Sequence, residues 1–178
     1  MMMVAGFDSS DLGPVQTWKK VMTDPRTFFE HMPLAGGFIN PFVFALLVLA
    51  VAGAGGAIVQ GGGLKACLTT IGVGVLKLCL GAALLVFIAR QLFEGVGDFE
   101  ATFRGCAYAA APLALLWIPV LGAIAAVYSV YLLILGLQRA QGMDSVKTTL
   151  TLILAALLGV VLFLNLGWPW GRPDLIRL

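Results

Sequence analysis

YAAAPLALLWIPVLG (residues 108–122) sets two prolines seven positions apart inside an unbroken apolar run. From Gly105 to Gln138 that run is 34 residues long, or about 51 Å as one α-helix. A bilayer's hydrocarbon core is about 30 Å thick, and tilt does not absorb so large an excess. Two helices must share the run. Pro119 has no backbone donor and disfavours helical geometry at Ile118, while Gly122 relieves the return. The break is therefore expected near 117–122, with Trp117 suited to the membrane interface. Pro112 is then expected as a kink inside the earlier helix.

Working outward, the composition agrees. The chain has 178 residues, 60% hydrophobic and 11% charged, with a mean hydropathy of +0.99. A soluble domain averages about a quarter charged residues, so this chain has too little polar surface for a water-facing globule. The apolar residues come in blocks, which predicts bilayer-spanning helices; a transmembrane barrel would alternate in stretches of about ten. The first 35 residues are comparatively polar, so no cleavable signal peptide is expected.

The segment 1–37 reads as a tail followed by an interfacial amphipathic segment. Trp18, Val21 and Met22 share one helical face beside Lys19 and Lys20, and Phe28, Phe29 and Met32 follow Asp24-Pro25. Aromatics mixed with bases ahead of a span suit the headgroup layer, the favoured reading; the alternative is a soluble linker whose aromatics tuck under the bundle. Five spans are expected, at about 38–59, 66–89, 99–118, 120–137 and 146–166, with a short tail at 167–178. Glu100 and Arg104 are expected to snorkel from the start of the third. The fold class is thus an all-α membrane protein, a bundle of five transmembrane helices. Five crossings put head and tail on opposite sides. With the N-terminus in the cytoplasm, Lys19, Lys20, Arg26, Arg90, Arg104, Arg139 and Lys147 lie inside, and Lys65, Arg172 and Arg177 outside, as the positive-inside rule requires.

Lys77 is the oddest residue, a cation near the middle of the second span. It costs roughly 2.5–3.5 kcal/mol on insertion scales, while each large apolar residue returns about 0.3–0.6. About a dozen such residues in the span keep insertion favourable. Thr70, Gly74 and Gly81 share its helical stripe, and small residues at that spacing mark a packed face. Lys77 is therefore expected inside the bundle, where no span supplies an acid; its partners would be carbonyls, hydroxyls, water or an anionic ligand. The alternative is a lysine reaching the nearer interface with its stem. Lys77, Thr70 and Tyr108 form the candidate intramembrane polar site. Lys19, Lys20, Arg90, Arg104 and Arg139 form a candidate cytoplasmic docking surface for a partner or for anionic headgroups. Gly53 with Ala57 and Gly105 with Ala109 allow close helix approach.

Cys67, Cys79 and Cys106 form no CxxC pair and His31 is the only histidine. No metal site, cofactor or Ser-His-Asp triad is expected. Gly61-Gly62-Gly63 lacks the lysine-serine pattern of a phosphate loop and reads as a turn.

The order of these features resembles the Yip1 domain family. The likeness rests on GCAYAAAPLALLWIPVLGAIAAVYSVYLLILGLQRAQGMDSVKT, through Gly105, Tyr108, Pro112, Pro119, Gly122, Gly136, Leu137, Ser145 and Lys147. MTDPRTFFEHMP resembles the pre-membrane segment of prokaryotic members. Asp11-Leu12-Gly13-Pro14 matches only part of the Asp-Leu-Tyr-Gly-Pro sequence of eukaryotic members, whose Rab GTPase role is not carried over. The resemblance implies a five-span protein of the prokaryotic cytoplasmic membrane with no enzymatic activity. The expected function is membrane organisation, or binding of membrane lipids, other membrane proteins or a second copy, and no nucleic acid. A small transporter with Lys77 at an anion or lipid-headgroup site is the alternative.

Overall fold

A computed structural model describes residues 13–166. The expected tails before residue 13 and after residue 166 lie outside the described residues. The elements are α1 (Pro14–Thr23), α2 (Pro25–Glu30), α3 (Ile39–Gln60), α4 (Gly63–Phe93), α5 (Phe99–Ala109), a 3-10 segment (Ala111–Leu115), α6 (Pro119–Gln141) and α7 (Ser145–Leu166). No strand occurs among the described residues. Among the described residues, three helices are long and apolar enough to cross a membrane: Ile39–Val59, Gly63–Phe93 and Pro119–Gln141. A shorter apolar stretch, Ser145–Val161, lies in α7.

The twin-proline run is broken where its missing donors require it. Pro112 has no N–H to offer the carbonyl of Tyr108, and its ring crowds that oxygen. Accordingly α5 stops at Ala109 and the chain tightens into the 3-10 segment. Pro119 holds Ile118 extended, at φ −94° and ψ 115°, and itself starts α6. Pro112 is therefore not a kink within one continuous α-helix, as the sequence reading had it. Between the two prolines there is room only for a short 3-10 turn. Gly122 packs against the carbonyl of Leu116 and donates its N–H to Ile118 at 2.6 Å, closing the turn. The chain then reverses: Gly105 lies against Gly136, and Gly97 against Ala140 and Gln141, so α5 and α6 run antiparallel.

The bundle has two ends. At one, α3 begins, α4 ends, α5 begins, α6 ends and α7 begins, tied by bonds from Gly37 N–H to Glu100 (2.7 Å) and from Gln138 to Ser145 (2.7 Å). At the other lie the α3–α4 turn and the α5–α6 turn, where Trp117 covers Gly55. The broken strand of the bundle is also its centre. Every residue from Ala101 to Ala109 is buried, and α3, α4 and α6 surround it. No large side chain separates α5 from α6 at their crossing: a Cβ built on Gly105 would lie 3.0 Å from the Gly136 carbonyl oxygen.

At 31 residues α4 runs about 46 Å, extending beyond both ends of the span expected at 66–89. The pre-membrane aromatics are buried against the bundle. Val21, Phe28, Phe29 and Met32 are buried in one cluster with Phe44, Tyr108, Ala111 and Leu132. An unfilled groove beside the narrow, alanine-rich α5 takes these side chains in, and contact with the bundle satisfies them better than a lipid surface would.

Substituting Gly105→Leu should separate α5 from α6, because backbone lies where the side chain would go. Gly81→Ala should be tolerated, since nothing lies within 4 Å of its Cβ position. Thermal stability of the two purified variants in detergent checks this: the first should lose its monodisperse folded species, and the second should keep it.

Candidate functional site

A cavity of about 940 Å³ opens on one side of the bundle between α4 and α6, backed by α5 and the 3-10 segment. That falls within the usual range of about 300–1,000 Å³ for small-molecule sites. Its walls are mostly apolar and include Leu49, Val73, Leu78, Leu113, Leu116 and Leu133. The polar side chains on it are few: Lys65, Thr69, Thr70 and Lys77 from α4, and Ser129 from α6.

The helix pairing fixes how deep each one sits. Leu49 is the midpoint of the Ile39–Val59 stretch and packs on Gly74. Lys77 is one turn beyond Gly74, about 4.5 Å past mid-depth toward the α4–α5 end. Lys65, nine residues the other way, lies about 13 Å from mid-depth at the α3–α4 end. Side chains on a helix lean toward its N-terminus, so the stem of Lys77 leads back toward mid-depth.

The hydrogen bonding of this set is incomplete. Thr69 and Thr70 donate to the carbonyls of Lys65 (2.8 Å) and Ala66 (3.0 Å), leaving only lone pairs free. Ser129 Oγ is buried and has no hydrogen-bond partner among the described residues. No carboxylate lines the cavity. The arrangement offers donors at mid-depth to an acceptor that the protein itself does not supply.

The structure divides the sequence-derived polar site. Lys77, Thr70, Gly74 and Gly81 all line the cavity, Gly74 beside Leu49, but Lys77 and Thr70 are exposed at its open side, so Lys77 is not enclosed within the bundle as expected. Tyr108 belongs elsewhere. Its ring meets Phe28 edge-on at 5.1 Å and Phe44 at 5.2 Å, in the cluster that receives α1 and α2. Aromatic partners gathered it away from the lysine.

The candidate docking surface is divided too. Arg104 is 3% exposed; it donates to the Gly37 carbonyl (2.8 Å) and pairs with Glu100 at 3.0 Å. It clamps the segment before α3 to α5 rather than snorkelling, because Gly36 and Gly37 bring carbonyl and amide groups down onto the pair. Arg90 donates to the Gly97 carbonyl at 2.8 Å. Lys19 and Lys20 lie on α1, which meets the bundle far from that end. Trp18 donates from Nε1 to the Ala111 carbonyl (2.9 Å), and Tyr128 from its hydroxyl to Met22 (3.2 Å). Those contacts are 12 residues from Phe99 and 13 from Gln141, or about 18–20 Å into the bundle. Arg139 lines a separate surface pocket with Arg26, Glu30 and Tyr131.

Three polar roles were not foreseen. Ser129 sits in an apolar stretch with no neighbour in sequence to single it out. Gln141 is 1% exposed; it accepts from Gly97 N–H (3.1 Å) and donates to Thr102 (2.7 Å), locking the α4–α5 turn to α6. The bond from Trp18 spans 93 residues and has no local sign.

Long apolar helices around a lateral cavity define a helical integral membrane protein. The Yip1 domain model matches residues 19–166, and the chain belongs to the Yip1 domain family. No curated protein and no solved structure matches it.

Trp18→Phe keeps the ring and removes its N–H, deleting the bond to the Ala111 carbonyl. A lost hydrogen bond of this kind costs about 0.5–1.5 kcal/mol. The variant should unfold at lower temperature than the parent chain in matched detergent, and Trp168→Phe serves as the fluorescence control.

Proposed function

We propose that this chain is a non-enzymatic, five-crossing membrane protein that holds a membrane lipid in its lateral cavity and organises the surrounding bilayer through it. The observation that carries the reading is the cavity itself: mostly apolar walls, an open side, and Lys77 on it with no hydrogen bond or ion pair among the described residues. In a bilayer, a lateral apolar opening of that size fills with the most abundant apolar molecule at hand. Among the described residues no carboxylate and no histidine lines it, so it offers neither paired acids nor a Ser-His pair for hydrolysis.

The five crossings are α3, α4, α5 with its 3-10 segment, α6 and α7. From Phe99 to Leu115 the third covers about 26 Å, from 11 α-helical and 5 3-10 residues. That nearly matches the hydrocarbon core of about 30 Å. At 22 residues α7 covers about 33 Å. The α4–α5 turn, with Arg90, and the α6–α7 turn, with Arg139 and Lys147, lie on the cytoplasmic side by the positive-inside rule. The setting this suggests is a prokaryotic cytoplasmic membrane.

A second reading, a permeation pathway past Lys77, is favoured by one feature: the discontinuous α5 lies beside the cavity, as broken helices do at transporter sites. Reconstituted protein whose solute fluxes are unchanged by Lys77→Met would remove it.

Gly81→Phe should place a ring in the cavity with no clash at Cβ. Native mass spectrometry of protein extracted in mild detergent should show bound lipid on the parent chain and several-fold less on the variant. Equal occupancy would refute the cavity as the lipid's seat. For topology, Leu64→Cys and Asp144→Cys should react with a membrane-impermeant thiol reagent from opposite sides of the membrane, in a background with the three native cysteines replaced. Labelling from one side would rule out the assigned arrangement of spans.

A further inference from the structure

We infer that the cavity selects an acidic phospholipid and takes its headgroup from the leaflet at the α3–α4 turn, drawing the phosphate down to Lys77 and Ser129 at mid-depth. This rests on the lipid-holding reading above and adds to it the charge, the leaflet and the seat of the headgroup.

The argument starts from the uneven distribution of polar side chains along the cavity. Between the α3–α4 turn and Lys77 the α4 wall offers Lys65, Thr69 and Thr70. Beyond Lys77, toward the α4–α5 end, that wall is Leu78, Gly81, Ala82 and Leu85, faced by Ala45, Cys106 and Leu133. A charged headgroup crossing the second half would leave its charge in contact with hydrocarbon alone, which is costly. The first half spaces its polar groups closely enough for a phosphate to move between them. Lys65 at the membrane boundary is the first cation met, and Lys77, about 18 Å further along α4, is the last.

The sign of the ligand follows from what lines the site. Two ammonium groups and no carboxylate face the cavity. Lys77 makes no hydrogen bond or ion pair among the described residues. The two threonine protons are committed to their own helix, so the donors left for a phosphate are the lysines and the Ser129 hydroxyl. The Ser129 oxygen is a second, independent sign of a ligand, since buried polar atoms in proteins ordinarily have partners. A zwitterionic headgroup brings a cation that only the threonine lone pairs could receive. A net-negative headgroup has no such surplus. Its acyl chains leave through the opening between α4 and α6, against Leu113, Leu133 and Val130.

The test uses the full-length protein in nanodiscs of phosphatidylcholine mixed with phosphatidylglycerol, with retained lipid read by native mass spectrometry. The parent chain should retain phosphatidylglycerol in preference to phosphatidylcholine. Lys77→Met should reduce that preference about tenfold, the loss of one charge-assisted bond, without changing total lipid retained. Ser129→Ala should reduce it less. Lys65→Met should slow uptake of added phosphatidylglycerol and leave the final ratio intact. Excess inorganic phosphate should not displace the lipid, because the tail supplies much of the binding; displacement would mean a free-anion site and overturn the assignment. An undiminished preference in Lys77→Met would overturn the headgroup's seat while leaving the cavity reading standing, provided Gly81→Phe still expels lipid. If neither variant changes lipid content, the cavity reading itself fails.

Discussion

Inside a bilayer every backbone N–H and C=O needs a partner from the protein, because no water is there to supply one. Pro112 withdraws a donor from the buried segment that runs through the centre of the bundle, and the local architecture answers that withdrawal. The 3-10 segment re-pairs what it can through short-range bonds, such as Leu113 N–H to Ala110 at 2.9 Å. The indole of Trp18 takes the Ala111 carbonyl. A helix that looks peripheral in sequence thus becomes part of the core, and α2 follows it inward with Phe28 and Phe29. The broken segment also lets α6 approach closely, with Gly105 set directly against Gly136.

Narrowness on one side creates space on the other. The stretch Ala109–Leu113 presents Ala109 and Ala111 to the aromatic cluster, while Ala109, Ala110 and Leu113 line the cavity. A wall of methyl groups therefore separates the α1–α2 flank from the cavity. Larger residues would close the cavity and push α1 out. One physical choice, a thin broken segment in the centre, accounts for both the buried pre-membrane segment and the opening opposite.

How much of this was legible beforehand depended on the range of the signal. The break at the second proline followed from length and local stereochemistry, and Ile118 is extended for the reason those imply. The apolar blocks announced the helices. What Pro112 does could not be judged locally, since a kinked α-helix and a 3-10 turn differ by contacts made elsewhere. The fate of Phe28 and Phe29 was invisible for the same reason: an amphipathic segment has one apolar face whether it meets lipid or a groove. Lys77 stood out because a charge in an apolar run is rare, and Thr70 because it shares the stripe. Tyr108 was grouped with them by its place in a span, but rotation about the helix axis put it on the opposite side. Ser129 gave no signal, because one hydroxyl in a span usually bonds back to its own helix and this one does not.

Depth along the helices bears on the two readings of Lys77. The packing of Leu49 on Gly74 puts the lysine close to the middle of the apolar thickness set by Ile39–Val59, about 11 Å from its nearer limit. That limit lies toward the C-terminal end of α4, the direction opposite to the one in which a helical side chain leans. Snorkelling to it would require the four-carbon stem to turn back along its own helix and still fall short. Leaning the favoured way, the stem of Lys77 runs along the open side of the cavity, and in a bilayer its insertion cost of about 2.5–3.5 kcal/mol would be offset by an anion or water meeting the ammonium. An apolar cavity offers few sites for water, which needs two to four polar partners. The geometry thus leaves an anion as the natural counterpart of the charge, and in a membrane the anions that carry their own apolar solvent with them are lipids.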